Sequence, residues 1–278
     1  MASNLTKLEN MVNPQVLADM LSGDLKFKLK FKDLLTIDDT LEGRAGNTIT
    51  VPKFCFIGEA QTLEEGQSID PSKMQTATEQ ISIKKSAKAV EISDEALLSG
   101  YGNIEDEIYR QLLLAISSKI DSDCIDALLT TRLTVDSSTK TINYDSIVDA
   151  VDKFEEEEFN EAKYLFIHPK QVTQLRKSPE FIDKSKYGGD TMMSGAVGMI
   201  AGCQVIPSKR VKDTGDNYEA ILCKEGALKL YLKKNVEVEF DRDVLSFTNV
   251  FSASEHYTVH LYDQSRSVKI TFKKTDAE

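Results

Sequence analysis

The chain has 278 residues, with 34 Lys or Arg against 45 Asp or Glu and a formal net charge of −11. Its length allows a sizeable core and one or two domains, and 41% hydrophobic with 28% charged residues is ordinary for a soluble globular protein. The acidic balance argues against tight, general DNA binding, which needs local positive charge, and no apolar run approaches the roughly 18 residues of a membrane-crossing helix.

Residues 1–24 read as a short helical arm, because Pro14 suits a first helical turn and Gly23 can end it. The opening Met1-Ala-Ser-Asn-Leu-Thr-Lys7 has no basic segment followed by an apolar one, so it is not read as a secretory signal. The Asn4-Leu5-Thr6 sequon then carries no glycosylation argument. In Leu25–Lys32 the residues Leu25, Phe27, Leu29 and Phe31 alternate with Lys26, Lys28, Lys30 and Lys32, which predicts a strand with one apolar and one lysine face. Such a face protects an edge from unwanted pairing, and no aromatic residue interleaves with the lysines to stack bases.

Two extended segments follow, Thr48–Ile57 and Ile81–Ile92, separated by about two dozen mostly polar residues. An excursion of that length is uncommon in a compact domain and is usually functional, and an isolated two-stranded ribbon is marginal in water. Pro52 lacks a donor for the ladder, which places it at an edge or a bulge. Something outside the subunit is expected to cover this ribbon, and a second copy of the chain is the simplest candidate.

Ser93 is a good N-cap for a short helix, with Asp94 and Glu95 in its first turn. Gly100 and Gly102 break that helix, and Asn103 can cap the next. There Ile104, Ile108, Leu112, Ile116, Ile120, Cys124 and Leu128 recur every four residues, predicting an amphipathic spine of roughly 25 residues and about 38 Å. Leu113, Ala115, Ile125 and Leu129 widen its apolar stripe.

From about Thr141 the pattern is mixed helix and strand. Asp145–Glu158 reads as a helix with Ile147, Val148, Val151 and Phe154 inward. Its acidic end opposes the helix dipole, so fraying or a basic neighbour is expected there. Tyr164–His168 reads as a buried strand, and Pro169 opens a helix with Val172 and Leu175 inward. Ser185–Gly198 reads as a flexible loop, and Cys203–Ile206 and Tyr218–Cys223 as strands. Val236, Val238 and Phe240 alternate with acidic residues. His256–Tyr262 and Ser267–Phe272 read as a closing hairpin.

No motif for chemistry emerges. Cys55, Cys124, Cys203 and Cys223 lack CxxC spacing and read as reduced thiols. His256 and His260 share one strand face about 13 Å apart, too far to share a metal. His168 can cap the helix that follows it, and no nucleophile stands in a recognisable elbow. Gly195, Gly198 and Gly202 form no phosphate loop. No catalytic residue, cofactor site or metal site is expected.

The order of parts resembles the major capsid proteins of tailed bacteriophages, whose shared fold is named after the Hong Kong phage. Ala87–Gly102 resembles their passage from hairpin to spine helix, Tyr164–Leu175 their central strand and helix, and Gly198–Ser208 their glycine-flanked strand. Asp241-Arg-Asp243 with His260–Asp263 and Val268–Phe272 resembles the closing strands. The resemblance implies an α+β fold with an N-terminal arm (1–46), an extended hairpin or E-loop (47–92), a peripheral domain carrying the spine helix (93–140), a central axial α/β domain (141–225) and returning peripheral strands (226–278).

It also implies a structural subunit, not an enzyme, that self-assembles as hexamers and pentamers into an icosahedral shell around double-stranded DNA held by weak, non-specific contact. The E-loop would lie over a neighbouring subunit. The candidate inter-subunit residues are Pro52, Lys53, Leu63, Glu64, Glu65, Lys73, Lys84, Lys85 and Lys88, with lysines 26–32 and 84–88 facing acidic tips such as Glu64 and Glu65. About 45 residues precede the hairpin, which points to a separate scaffolding protein, alongside a portal and decoration proteins as partners. Assembly is expected in the bacterial host cytoplasm, and the product is the virion, with no membrane partner. Some members form a lysine–asparagine cross-link; Lys53, Lys73 and Asn249 are suitable types, but no motif maps that chemistry here. The alternatives are an encapsulin-like nanocompartment with the same architecture and a cytosolic α/β enzyme.

Overall fold

The structure is a computed structural model and describes residues 29, 31, 34–43, 46–54, 76–99, 104–155, 161–177 and 198–274. The arm at 1–24, the hairpin tip at 55–75 and the loop at 185–197 lie outside the described residues. Strands β1 (Leu35–Asp38), β2 (Thr48–Phe54), β3 (Thr76–Ser82) and β4 (Lys84–Ser93) precede helices α1 (Asp94–Ser99) and α2 (Ile104–Leu128). Then come β5 (Leu133–Ser137), α3 (Tyr144–Asp152), β6 (Lys163–Ile167) and α4 (Pro169–Lys177). The chain closes with β7 (Met199–Ile200), β8 (Cys203–Pro207), β9 (Lys212–Asp213), β10 (Asn217–Lys224), β11 (Leu228–Asp243), β12 (Thr248–Leu261) and β13 (Ser267–Lys273).

The spine forms where its periodicity predicts. Along α2 the side chains of Ile108, Leu112, Ile116, Ile120, Cys124 and Leu128 are buried, joined by Leu113 and Ile125. They pack on a four-stranded sheet of order β1-β11-β12-β4, in which β1 runs parallel to β11 and the remaining pairs are antiparallel. Burying that stripe, at about 25 cal/mol per Å² of apolar surface removed from water, is what holds the helix in place.

A second sheet has the order β5-β13-β10-β6-β8-β7, with β9 also on β10. Its central strand β6 is buried at every position. Leu165 and Ile167 join an apolar cluster with Ile147 of α3 and Leu175 of α4. Tyr164 and Phe166 face the opposite way, into the cluster that contains the spine. Burial on both faces explains why the strand reads as a continuous apolar run. Phe31 stacks on Phe166 with ring centroids 4.2 Å apart, so the chain ahead of β1 is pinned between the two layers. Leu29 and Phe31 are both buried, but neither lies in the strand expected over Leu25–Lys32: Phe31 opens a turn in which its carbonyl accepts from the Leu34 and Leu35 N–H groups, and the other residues of that segment lie outside the described residues.

Some expectations change. The helix expected over Asp145–Glu158 ends at Asp152, before the acidic run, and Glu155 already has a positive φ of 46°. Four consecutive carboxylates at a helix C-terminus would meet the negative end of the dipole, so the chain leaves the helix first. Asn143 caps it, its side chain accepting from the Ser146 N–H at 3.0 Å. The expected closing hairpin is split: β12 pairs with β11 and β4, whereas β13 crosses to the second sheet beside β10 and β5. The reversal falls at Tyr262–Arg266, where the Tyr262 N–H donates to Ala227 O at 2.9 Å and Asp263 caps a short 3₁₀ turn. That turn is too long for a tight two-residue hairpin.

Candidate assembly interface

The long return strand is two strands. β3 pairs antiparallel with β2, from Thr48 opposite Ser82 to Phe54 opposite Thr76. After Ile83 the chain continues as β4, which pairs along its whole length with β12 from Tyr257 opposite Lys84 to Thr248 opposite Ser93. The ribbon β2–β3 pairs with no other strand among the described residues. It is therefore an outgrowth of the body sheet, rooted by shared backbone. Contacts fix the root: the Ile83 N–H donates to Asn47 O at 2.8 Å, Lys233 Nζ donates to Asn47 Oδ1 at 2.7 Å, and His260 lies 3.7 Å from Glu79.

The nine candidate contact residues fall into three groups. Pro52 and Lys53 lie in β2, opposite Thr78 and Ala77, on a strand whose other edge has no partner strand among the described residues, as a proline requires. Leu63, Glu64, Glu65 and Lys73 lie outside the described residues. Lys84, Lys85 and Lys88 are exposed on β4. Of these, Lys84 has a partner at home, since its ammonium is 2.8 Å from Asp123 Oδ1 on the spine.

Asp123 organises the junction of spine and sheet. It is 5% exposed, takes Lys84 and Lys119 at 2.8 and 2.9 Å, and accepts from the Tyr257 hydroxyl at 2.8 Å. Burial alone would raise its carboxyl, but the bonds from Lys84, Lys119 and Tyr257 outweigh it and hold the group below the usual carboxylate range. Two residues earlier Asp121 meets Arg210, at 3.3 Å, which also donates to Ser118. These cations neutralise acids near a helix C-terminus that has no basic residue in its last turn.

Two features escaped the sequence reading. The first is the β11–β12 tip, where Val244, Leu245 and Phe247 are 69%, 94% and 60% exposed. A stiff polar frame presents it: Asp243 accepts from the Leu245 N–H at 2.9 Å, Arg242 and Asn249 both donate to Asp94, and the Asp94 N–H donates to Phe247 O. Phe247 holds a φ of 53°, in the left-handed region that side chains rarely adopt. Apolar residues at the turn of a long hairpin were the available signal. Asn249 is buried and committed to Asp94 at 2.8 Å.

The second is Glu255, 2% exposed on the spine-facing side of β12, with no hydrogen-bond partner on Oε2. Burial pushes its carboxyl up to about 7.

His168 caps α4, as its position suggested. Its Nδ1 accepts from the Lys170 N–H at 3.2 Å, and Gln171 Oε1 accepts from the His168 N–H at 2.9 Å. It also stacks on Tyr218, with centroids 4.5 Å apart. Cys124, Cys203 and Cys223 are buried free thiols, and burial raises Cys124 and Cys223 well out of the reactive range. Among the described residues no cluster of His, Cys, Asp and Glu is placed to hold a metal. No described helix is long and apolar enough to cross a membrane.

A spine helix packed on a sheet, a ribbon growing out of that sheet and an exposed apolar tip are features of a structural subunit. Known proteins give the same answer. The sequence pattern of the family described as "Phage capsid protein" matches residues 76–259. The chain is 37% identical over 273 residues to the major capsid protein of Staphylococcus phage phiMR11, covering 98% of this chain and 97% of that one. Its fold is similar to the capsid of a native GTA particle, with a TM-score of 0.71 at 12% identity over 98% of this chain and 95% of that one. It is also similar to the capsid of cyanophage P-SCSP1u, with a TM-score of 0.69 at 14% identity over 87% of each chain. The chain belongs to the phage capsid protein family. It is a structural shell subunit of a phage head, with the tailed-phage major capsid fold and no enzymatic role.

Proposed function

We propose that the ribbon β2–β3 is an intermolecular clasp, the E-loop of this subunit, and that it lies over a neighbouring copy within hexamers and pentamers that close around double-stranded DNA. The observation that carries this reading is the ribbon itself, two strands that pair with each other and with no third strand among the described residues. A free ribbon of seven-residue strands is marginal in water, so its exposed faces are stabilised by docking. The spine α2 with strands 228–261 forms the peripheral domain in this reading. The second sheet, including β13, forms the axial domain around the capsomer axis. Many modest interfaces of this kind sum under closed symmetry. A separate scaffolding protein, a portal and decoration proteins are the remaining partners. DNA is touched weakly, consistent with the acidic chain, and assembly takes place in the host cytoplasm.

Excising residues 58–72 and bridging the gap with a short glycine linker tests the clasp while sparing β2 and β3. The variant is expected to give a folded subunit with the parent's circular dichroism and thermal midpoint but no shells in electron micrographs. Shells in normal yield would refute the clasp.

A further inference from the structure

On the outer face of the body sheet, at the root of the ribbon, three basic side chains stand in one cross-strand row. Lys85 of β4 is opposite His256 of β12, and His256 is opposite Lys234 of β11. An irregularity in β11 between Leu232 and Glu237 brings Lys233 beside them. Together with Glu42, Gly43, Asn47 and Ile83, these four residues line a cleft of about 620 Å³. Strand register therefore brings two ammonium groups, Lys85 and Lys234, to either side of the His256 imidazole.

The charges around the row do not cancel. Lys234 pairs with Glu237, and Lys233 is spent on neutral oxygens, Gly46 O and Asn47 Oδ1. Glu42 is the one carboxylate among the described lining residues. Lys85 is exposed and has no ion pair among the described residues. His256 is held below its ordinary value by burial and by Lys85, Lys234 and Lys233, with Glu237 opposing. The row gathers positive charge in a chain whose net charge is −11.

We propose that this cleft is a carboxylate socket that receives the acidic stretch Glu59–Asp70 of a second copy of the chain. The proposal rests on the clasp reading above and names where the clasp lands. Between Cys55 and Gln75 the sequence places Glu59, Glu64, Glu65 and Asp70 against a single base, Lys73. A duplex is the poorer occupant. Beyond the row, the same sheet face carries Glu237, Glu239 and Asp241 on β11 and Glu91 on β4, which would repel phosphates. A peptide strand is narrow enough to place its carboxylates on the row and leave the acidic part of the sheet uncovered.

The test is charge reversal with compensation in the full-length chain. K85E/K234E is expected to keep the parent's thermal midpoint within a few degrees and to lower shell yield at low salt by about tenfold, the scale of turning an attractive charged contact into a repulsive one. Lys85→Gln, which cannot repel, is expected to give an intermediate yield. E64K/E65K should lower the yield similarly, and the combined K85E/K234E/E64K/E65K chain should recover it. Parent-like assembly of K85E/K234E, or no recovery in the combined chain, would overturn the socket. Normal shells of K85E/K234E that retain less DNA would overturn it in favour of a phosphate contact. The excision variant stays without shells in every one of these cases, so the socket can fail while the clasp stands.

Discussion

Glu255→Gln isolates the one buried acid among the described residues of the spine–sheet junction that has an unsatisfied oxygen. Glu255 sits on the inward face of β12 between Ala253 and Tyr257, opposite Ser86 of β4, with Asp123, Lys84 and Lys119 gathered just beyond the Tyr257 hydroxyl. Its carboxyl rises from an ordinary 4.5 to about 7 because burial disfavours the charge. In the unfolded chain the group ionises near the ordinary value, so the folded state binds the extra proton between those limits. The cost of ionising it is absent below about pH 4.5, grows as pH rises, and is complete above about pH 7. At about 1.4 kcal/mol per tenfold change in proton affinity, the loss is roughly 3 kcal/mol at pH 8. His256, held low by burial, works the other way below its ordinary value, but it is unchanged in the variant and cancels in the comparison. The chain has no Trp, so urea unfolding of the unassembled subunit is followed by far-UV circular dichroism. From pH 5 to pH 8 the parent is expected to lose about 2.5 kcal/mol more than Glu255→Gln, the first part of the loss having occurred below pH 5. Parallel pH profiles for the two chains would refute the reasoning, whatever their absolute stabilities.

Two further substitutions separate subunit stability from assembly. Asp123→Asn removes the charge that Lys84 and Lys119 share and is expected to cost about 1–3 kcal/mol in the same urea assay at pH 7. Because the native carboxyl is held below its ordinary value, that difference should vanish as pH falls through the native carboxyl's titration, below about pH 4. Phe247→Gly relieves a positive φ at an exposed position and is expected to stabilise the subunit by about 1 kcal/mol while lowering shell yield, an opposition that light scattering and melting curves can show together. Unchanged assembly would remove the β11–β12 tip from the inter-subunit contacts.

Local pattern was legible wherever one period dominated. The i+4 series from Ile104 to Leu128 specified the spine, and its observed bounds coincide with that series. The apolar run in β6 and the Pro169 start of α4 were equally plain. β1 and β5 went unread because they are four and five residues long with mixed polarity, and each is paired in parallel with a strand far along the chain. The tip at Val244–Phe247 was overlooked because apolar residues inside a turn belong to no period. Of the candidate contact residues, Lys84 shows the limit of reading charge alone: an exposed lysine in an alternating strand has its partner on the spine of its own subunit.

The sequence by itself determined which side of each strand and helix is apolar, because side-chain direction follows from backbone period. Only the tertiary structure decided which strands meet. It moved the return strand from the ribbon to the body sheet at Ile83, sent β13 to the second sheet and left Glu255 facing the spine. It also set Lys85, His256 and Lys234 side by side, although β4 and β11 are distant in sequence. Partner and register follow from how whole faces are buried against each other, a long-range choice that no local window contains.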